Sequence, residues 1–235
     1  MDFFYTEKSN ITENNLILQG EEHKHLSRIL RKEIGETIYV TDGNDTMYVC
    51  TIRSITKTET DCVIVRTLHR YNESERDVTI AVSLLKNPSR MDYLVEKTTE
   101  IGVRSIIPMI CERTIPKREK HSRLEHIALS AIKVCGRSFL PRTQPLTTFQ
   151  AITQTSKNYQ LCIVPHERYD TNQTLQLVMK ANSTAKSVLL LIGPEGGFTD
   201  EEFSLAVNSG FIPASLGPRR LRAETAAVVA LSMVV

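Results

Sequence analysis

The sequence predicts an α/β fold, in which a parallel sheet with helices on both faces follows a small β-rich module. From position 78 onward, short apolar runs alternate with amphipathic stretches, as strands and helices do around a parallel sheet. Before position 70, apolar and polar side chains alternate singly, which is typical of half-buried antiparallel strands. Near the C-terminus, two apolar runs end in glycine-containing loops that lead into helical stretches.

The β-rich module is predicted to cover residues 1–70. Its predicted elements are a short helix over Glu22–Leu30, a β-hairpin of Thr37–Val40 and Met47–Ile52, and a strand over Cys62–Val65. The hairpin is indicated by the turn sequence Asp42-Gly43-Asn44-Asp45 between two alternating runs. Residues 71–77 are polar and aperiodic, so they are predicted to form a linker to a second domain over residues 78–235.

The second domain is predicted from its alternating segments. Its strands are Val78–Leu85, Ser105–Ile110, Gln160–Val164, Val188–Ile192 and Ile212–Leu216, and its helices include Met91–Ile101, Ser122–Cys135 and Glu224–Val235. Another helix is predicted to start at Thr199, which with Glu202 forms a capping box. Ser122 and Glu125 predict a second capping box, and Gly136 stands where that helix should end.

Composition limits the class of protein. A chain of 235 residues, 41% of them hydrophobic and without a long uncharged apolar run, is expected to be soluble, to bury a core and not to enter a membrane. The acidic start Met1–Tyr5 lacks the apolar core of a signal peptide. Five scattered cysteines form neither a disulfide framework nor a metal-binding pair, so a reduced, cytoplasmic setting is expected. A net charge of +2 means that any basic surface must be local.

Two glycine-rich loops carry the main functional signal. In the first, Gly193 ends the apolar run and Pro194–Phe198 forms the loop, and the second starts at Gly217-Pro218. Glycine lets a ligand approach the main chain closely, and loops at the carboxyl ends of parallel strands form a ligand crevice. A tight turn that binds nothing is the alternative for either loop alone. Neither loop has the pattern of a phosphate-binding loop, and the charged residues within the pair are Glu195, Arg219, Arg220, Arg222 and Glu224.

The chain resembles the 16S ribosomal RNA uridine-N3 methyltransferases, the RsmE-type branch of the SPOUT methyltransferases. The matching segments are Met91–Val103, Glu112-Arg113, Cys135-Gly136-Arg137-Ser138, Ile192–Gly197 and Leu216–Ala226, with His25–Arg31 and Asp42-Gly43 resembling that family's N-terminal domain. The similarity runs nearly end to end. Val134 stands where the family usually has Gln, and Ala223 where it often has Thr, so a polar contact is in doubt at each position.

The resemblance implies a fold, a cofactor and partners. It implies a parallel sheet with a deep C-terminal trefoil knot, preceded by a small β-barrel-like PUA-type domain that helps to hold RNA. It also implies a homodimer that uses S-adenosylmethionine, without a metal, to methylate 16S rRNA or the small ribosomal subunit. By motif match, the cofactor-binding candidates are Leu191, Ile192, Gly193, Glu195, Gly196, Leu216, Gly217, Leu221, Arg222 and Thr225.

The implied chemistry suggests catalytic candidates. N3 of a neutral uracil carries a proton, so a base or a cation that stabilises the resulting anion would assist methyl transfer. Arginine stays protonated but can hold O2 or O4. We assign this role to Arg137 or Arg222, with Glu195 or Glu224 orienting the arginine or accepting the proton. Alternatively, Glu224 stabilises a helix N-terminus and Arg137 satisfies carbonyls at a helix C-terminus.

A basic segment near the N-terminus is the predicted RNA contact. Spacing places Arg28, Arg31 and Lys32 near one helical face, which can follow phosphates. The predicted RNA-binding residues are Lys24, His25, Arg28, Arg31 and Lys32. Without the resemblance, the nearby glutamates Glu21, Glu22 and Glu33 would favour a solvated face. His23 and His25 lack further metal ligands at suitable spacing, whereas His166 could face the crevice or be structural.

Two other functions stay open at this point. The chain could be a non-catalytic RNA-binding or assembly factor that keeps the fold, although the intact glycine loops argue against it. It could also methylate another RNA position, a ribose 2′-hydroxyl or a guanine N1, because RNA recognition depends on unstacked bases and local shape.

Overall fold

The structure, a computed structural model, describes residues 1–166 and 173–235. The chain divides into two compact units, of which the first comprises residues 1–73 and 129–140 and the second residues 74–128 and 141–235. The segment 129–140 therefore groups with the N-terminal unit, although the sequence places it well inside the predicted second domain. The division into functional domains stays a prediction. Across the described ranges, no helix is both long and apolar enough to cross a membrane.

The first unit is built on a five-stranded sheet with the order β1-β3-β4-β5-β2. Its strands are β1 (Phe3–Tyr5), β2 (Asn15–Gln19), β3 (Thr37–Thr41), β4 (Thr46–Ile55) and β5 (Glu59–His69). The predicted hairpin is confirmed, because β3 and β4 pair antiparallel with Val40 opposite Tyr48. The predicted strand Cys62–Val65 is the middle of the longer β5. Alternate side chains of the sheet, such as Leu16, Leu18 and Ile38, are fully buried and form the core of this unit.

A short helix of the first unit changes from α-helical to π-helical geometry along its length. Helix α1 (Gly20–Lys24) continues as a π-helical turn over His25–Ile29, in which the Leu30 amide donates to the His25 carbonyl. The predicted helix is therefore present, but its second half is wider than an α-helix. Arg31 then takes a φ of 51°, which ends the helical run.

The second unit is built on a parallel sheet with the order β12-β10-β11-β6-β7-β8, in which β9 also pairs with β7. The strands are β6 (Asp77–Ser83), β7 (Ser105–Ile110), β8 (Arg142–Thr143), β9 (Thr147–Thr148), β10 (Leu161–Pro165), β11 (Ser187–Ile192) and β12 (Ile212–Ala214). The helices are α2 (Pro88–Ile101), α3 (His121–Cys135), α4 (Phe149–Gln154), α5 (Leu175–Ala181), α6 (Asp200–Asn208) and α7 (Ala223–Val234). The part of α3 from residue 129 onward groups with the first unit. The predicted parallel sheet is confirmed, since these strand pairs are all parallel.

Both faces of the central strand β11 are buried. Leu189 and Leu191 belong to a core shared with residues of α4 and α6. Leu190 and Ile192 point to the opposite face, because side chains alternate along a strand, and they are buried as well. Helix α7 packs against β11, β6 and α2. This two-sided burial explains why the strand reads as a continuous apolar run.

The order of the strands brings three loops together. Strand β11 lies between β6 and β10, while β12 lies on the outer side of β10. Since β10, β11 and β12 are parallel neighbours, the chain leaves all three at the same edge of the sheet. Ligands of α/β proteins bind at such an edge, next to a change in strand order.

One of the two predicted capping boxes is wrong. Helix α3 begins at His121, so Ser122 lies inside the helix, and the Glu125 carboxylate pairs with the His121 ring at 3.2 Å. At α6, by contrast, the Thr199 side chain and the Glu202 carboxylate form the complete reciprocal box. Gly136 follows the end of α3 as predicted, with a φ of 69°.

The cysteines of both units are mostly interior residues. Cys50, Cys62, Cys111 and Cys162 are buried. Burial raises the pKa of the Cys62 and Cys111 thiols to about 12 and that of Cys162 to about 11. Thiols of this kind stay protonated and behave as small apolar side chains.

Candidate cofactor site

A cavity of about 450 Å³ is lined by the loops that follow β10, β11 and β12. Its volume lies within the usual range of small-molecule sites. Both glycine-rich loops predicted from the sequence line it, and all of the lining belongs to the second unit. The lining residues are Arg90, Arg113, Pro165, His166, Ile192 to Phe198, Asp200, Leu216, Gly217, Arg219 to Ala223 and Ala226.

The first loop is shaped by close packing against Phe198. A Cβ at position 193 would lie 3.1 Å from the Phe198 ring, which is itself buried against Phe149 with the ring centroids 5.4 Å apart. Gly197 has a φ of 70°, and its amide donates to the Pro194 carbonyl at 2.9 Å. A side chain at 193 would therefore require the Phe198 ring to shift, and the φ of Gly197 favours glycine at that position.

The segment after β7 contacts this loop and the start of the helix that follows it. The Glu202 carboxylate accepts from the Thr199 amide at 3.1 Å and from the Glu112 amide at 2.8 Å. The next residue, Arg113, donates from Nη1 to the Gly196 carbonyl at 2.8 Å. These bonds fix the wall of the cavity before any ligand binds, which lowers the ordering cost of binding.

The second loop is open and strongly basic. Gly217 has a φ of 112°, and its amide donates to the Ser215 hydroxyl at 3.2 Å. Arg219 and Arg220 follow and are exposed. Arg222 is also exposed and is the N-cap residue of α7, with extended backbone angles. The loop thus presents several guanidinium groups at the cavity.

Glu224 is not among the cavity-lining residues, but it contacts Arg90, which is. Its carboxylate Oε1 lies 3.6 Å from Nε of Arg90, and its side chain is only 8% exposed. Its second oxygen, Oε2, is buried and has no hydrogen-bond partner among the residues that the structure describes. Burying a carboxylate without full hydrogen bonding costs free energy. The ion pair with Arg90 offsets part of this cost.

Glu195 lies in the cavity itself. Its carboxylate accepts from the Lys86 amide at 2.9 Å, and the residue is exposed. Of the two predicted carboxylates, Glu195 lines the cavity, whereas Glu224 does not.

Arg137 belongs to the first unit and is not among the cavity-lining residues. It forms a bidentate ion pair with Glu73, with an Nη2 to Oε2 distance of 2.6 Å, and both side chains are 2% exposed. Glu73 also accepts from the Phe139 amide at 2.9 Å. The guanidinium is therefore committed to a buried structural contact.

Eight of the ten predicted cofactor residues line the cavity. Leu191 lies instead in the core beneath the sheet, and Thr225 is half-buried on α7 outside the lining. Sequence reasoning missed Arg90 and left His166 undecided, although both line the cavity. The only signal for Arg90 was its position directly before the Met91–Val103 motif. His166 follows β10, and its position at the cavity depends on the pairing of β10 with β11 and β12, which the sequence alone does not show.

The predicted RNA-binding residues do not form one helical face. Arg31 and Lys32 lie beyond the π-helical turn, which ends at Ile29, so the assumed α-helical spacing does not apply. Lys32 pairs with Glu36 at 2.7 Å and Asp2 at 2.9 Å, and these hydrogen bonds, that to Glu36 first, raise its pKa. Lys24, His25, Arg28 and Arg31 are exposed. Their role in RNA binding stays a prediction.

Metal ligation gains no support from the arrangement of side chains. Within residues 1–166 and 173–235, no three His, Cys, Asp or Glu side chains are placed to hold a metal ion together. His23 is buried, with Nδ1 2.9 Å from the Thr60 hydroxyl.

Comparison with known families identifies two matching regions. Residues 72–235 match a family model described as an RNA methyltransferase domain. Residues 18–65 match one described as an RNA methyltransferase PUA domain. The second region contains the basic segment of the first unit, and the first region contains the whole cavity lining.

Individual proteins agree with these matches. The chain is 31% identical to the ribosomal RNA small subunit methyltransferase E of Aquifex aeolicus, covering 99% of this chain and 98% of that protein. It is 31% identical to the protein of the same name from Synechocystis, covering 95% and 74%. A solved structure of ribosomal RNA small subunit methyltransferase E from Neisseria gonorrhoeae, bound to S-adenosyl methionine, aligns with a TM-score of 0.86 at 25% identity, covering 99% and 95%. A Legionella pneumophila protein described as a methyltransferase, in complex with SAM, aligns at 0.82 and 30% identity, covering 99% and 96%.

Proposed function

Because this chain belongs to the RNA methyltransferase family, and within it to the ribosomal RNA small subunit methyltransferases E, we propose that it methylates N3 of a uridine in 16S rRNA. S-adenosylmethionine is the proposed donor. The observation that carries the proposal is the cavity of about 450 Å³ between two glycine-rich loops. It lies in the region that matches the methyltransferase model.

The cavity fits the donor in size and in chemistry. Bare backbone at Gly193 can hydrogen-bond the edge of an adenine ring, while Ile192, Leu216 and Leu221 provide apolar walls. When bound, S-adenosylmethionine supplies a methyl group on a positively charged sulfur. We therefore assign cofactor binding to the eight predicted residues that line the cavity, and we assign only supporting roles to Leu191 and Thr225.

Methyl transfer requires that the N3 proton leave the uracil. Arg222 lines the cavity and stays protonated, so it is the proposed group that stabilises negative charge on O2 or O4. Glu195 is the proposed proton acceptor, because it is the predicted carboxylate in the cavity. As the bond from sulfur to methyl breaks and the bond from N3 to methyl forms, the proton passes to this carboxylate or to water.

Glu224 and Arg137 receive different roles in this proposal. Glu224 orients an arginine, and the arginine that it contacts is Arg90. Arg137 stabilises the first unit through Glu73 rather than acting on the substrate. The predicted catalytic set is thereby reduced to Arg222, with Glu195 as the base and Glu224 as a positioning residue.

The remaining expectations concern the whole protein. We propose a trefoil knot in the second unit, supported by the return of α7 to β6, β11 and α2 after the chain has reached the outer strand β12. We also propose a homodimer acting in the cytoplasm. An RNA-holding role for residues 1–70 is supported by the match of residues 18–65 to a PUA model.

The test is direct labelling of the product. Purified protein is incubated with methyl-labelled S-adenosylmethionine and unmodified small ribosomal subunits, and the digested RNA is analysed by mass spectrometry. We expect the label in N3-methyluridine. Subunits already treated with protein and unlabelled donor are the control and should accept no label.

Other outcomes would replace the proposal with a specific alternative. A label in a ribose-methylated nucleoside or in N1-methylguanosine would keep the methyltransferase and change its substrate atom. Cofactor binding without any labelled RNA would favour a ribosome-assembly factor that has kept the fold.

A further inference from the structure

An arginine that the proposed mechanism does not use lies beside the proposed proton acceptor. Arg90 is in the first turn of α2 and lines the cavity. The amide of Lys86, directly before the N-cap residue Asn87, donates to the Glu195 carboxylate at 2.9 Å. The Arg90 amide donates to the Asn87 carbonyl at 3.0 Å. One short segment, residues 86–90, therefore brings Arg90 and the Glu195 carboxylate to the same part of the cavity.

The guanidinium of Arg90 is held from one side by Glu224. Nε of Arg90 lies 3.6 Å from Oε1 of Glu224, and the two side chains are 35% and 8% exposed. The contact thus joins a buried carboxylate to an arginine that reaches the cavity. Within the described parts of the chain, the outer nitrogens Nη1 and Nη2 form no hydrogen bond. They are the donors that Arg90 can offer to a ligand.

Packing alone does not explain a carboxylate at position 224. Oε2 of Glu224 is buried and has no hydrogen-bond partner within the described residues, and such burial costs free energy. Further along the same helix, Ala227 and Leu231 fill fully buried positions with apolar side chains and avoid this cost. Proteins keep locally unfavourable residues where function requires them. Holding Arg90 at the cavity is a function that only a carboxylate can provide at this position.

The reaction creates a charge that extends over two oxygens. Loss of the N3 proton leaves its electron pair on N3, and the negative charge spreads to O2 and O4, the two carbonyl oxygens that flank N3. Fixed cations next to such oxygens stabilise the charge as it develops. Arg222 is the proposed contact of one oxygen. Because N3 lies between the two oxygens, an arginine next to the proton acceptor is placed to contact the other.

We infer that Arg90 is a second catalytic residue, which donates from its outer nitrogens to O2 or O4 of the target uracil, and that Glu224 positions it. The inference rests on the proposed function and gives Arg90 the role for which the sequence had suggested Arg137. Arg90 stays protonated while the N3 proton passes to Glu195 or to water. The bond from N3 to methyl then forms as the bond from sulfur to methyl breaks. Since the uracil is neutral before and after the reaction, Arg90 acts mainly on the rate and little on binding.

The test measures single-turnover methylation of small ribosomal subunits by the full chain. Arg90→Met removes the guanidinium and keeps an unbranched side chain. We expect N3-methyluridine to form about 100- to 1000-fold more slowly, the usual loss for one donor to a developing anion, while the affinity for S-adenosylhomocysteine stays close to that of wild type. This factor should shrink at alkaline pH, because the N3 proton is then lost more readily without help. A merely structural defect would slow the reaction equally at every pH.

Three further variants separate catalysis from folding. Arg90→Met leaves the buried Glu224 without its partner, so the double variant R90M/E224Q provides the same measurement if the single variant does not fold. It should show the same loss and the same dependence on pH. Glu224→Gln alone keeps the arginine but releases it, and should slow the reaction by a smaller factor that also shrinks at alkaline pH. Arg90→Lys should restore part of the rate.

Arg123→Met is the matched control. Arg123 forms an ion pair with Asp92 on α2 and does not line the cavity, so its rate should match that of wild type. A rate of folded R90M/E224Q equal to that of R123M overturns the inference alone. A loss of the same size at every pH also overturns it, as does a parallel loss of affinity for S-adenosylhomocysteine, because Arg90 would then bind the donor. Wild type that forms no N3-methyluridine overturns the proposed function itself.

Discussion

At the scale of single residues, Arg222 and Arg137 differ in burial, and this difference indicates different roles. Arg222 is exposed at the cavity, whereas Arg137 is 98% buried against an equally buried Glu73. Removing one partner of a buried ion pair leaves an uncompensated charge, which typically costs about 3 to 5 kcal/mol. The stability that depends on this ion pair explains the presence of Arg137 without a role in the reaction.

The first prediction tests this structural role. Arg137→Met should lower the free energy of unfolding by about 3 to 5 kcal/mol, measured by urea denaturation. Folded protein should keep its affinity for S-adenosylhomocysteine and its turnover, because the residue does not line the cavity. The matched control is Arg53→Met in the same unit, whose pair with Asp61 is half exposed and should contribute less than about 1 kcal/mol. A stable Arg137→Met protein without turnover would return Arg137 to the mechanism.

The sequence could locate these residues but not their partners. Arg137 stood in a recognisable motif, yet Glu73 lies 64 positions earlier in a stretch predicted as a linker. Glu224 was expected at a helix start, and it does lie in the first turn of α7. Its contact with Arg90 on α2 depends on how two distant helices pack, and local periodicity contains no information about such pairs.

At the scale of elements, two similar motifs had different outcomes. Thr199 and Glu202 form a capping box because Phe198 before them is buried and Glu202 accepts a further bond from the Glu112 amide. Ser122 and Glu125 have the same spacing, but their helix begins one residue earlier. The motif indicates where a helix can start, and tertiary contacts decide whether it starts there.

Short elements were the part of the fold that sequence reasoning missed. Strands β1, β2, β8 and β9 have two to five residues, and helices α4 and α5 have six and seven. Segments of this length show too little of a repeat for periodicity to identify them. The long strands and the helices α2, α3, α6 and α7 were predictable because each repeats its pattern over more residues.

The second prediction concerns the start of α6. Glu202→Ala removes the acceptor of two backbone amides, those of Thr199 and Glu112. Unpaired buried donors cost about 1 to 3 kcal/mol each, so the free energy of unfolding should fall by about 2 kcal/mol or more. The affinity for S-adenosylhomocysteine should also fall, since the loop from Gly193 to Phe198 loses its attachment.

Glu125→Ala is the control for this element. Its carboxylate is exposed and pairs with a histidine side chain at 3.2 Å, so the change should stay within about 0.5 kcal/mol. Chemical denaturation and calorimetric titration measure the two effects. A Glu202→Ala protein with unchanged stability would show that the box does not hold the loop.

At the scale of the whole molecule, neither compact unit is a continuous stretch of the sequence. The segment 129–140 groups with residues 1–73. A Cβ at Gly136 would lie 2.5 Å from the Phe3 ring, and the Ser138 carbonyl accepts from the Thr41 hydroxyl at 2.8 Å. A polar stretch marks a linker when the chain is read in order, but a segment that rejoins an earlier unit leaves no such mark.

The third prediction follows from this grouping. A fragment of residues 1–73 lacks Arg137, so Glu73 loses its ion pair, and the Phe3 ring and the Thr41 hydroxyl lose their contacts with the segment 129–140. A fusion of 1–73 to 129–140 through a flexible Gly-Ser linker restores these contacts. We expect the fusion to be more stable than the fragment by about 3 kcal/mol or more, the minimum typical of a buried ion pair, as measured by urea denaturation. The same fusion carrying Arg137→Met should lose most of this gain. If fragment and fusion unfold at the same urea concentration, the segment contributes nothing to the first unit, and the predicted boundary at residue 70 would suffice to separate two independent domains.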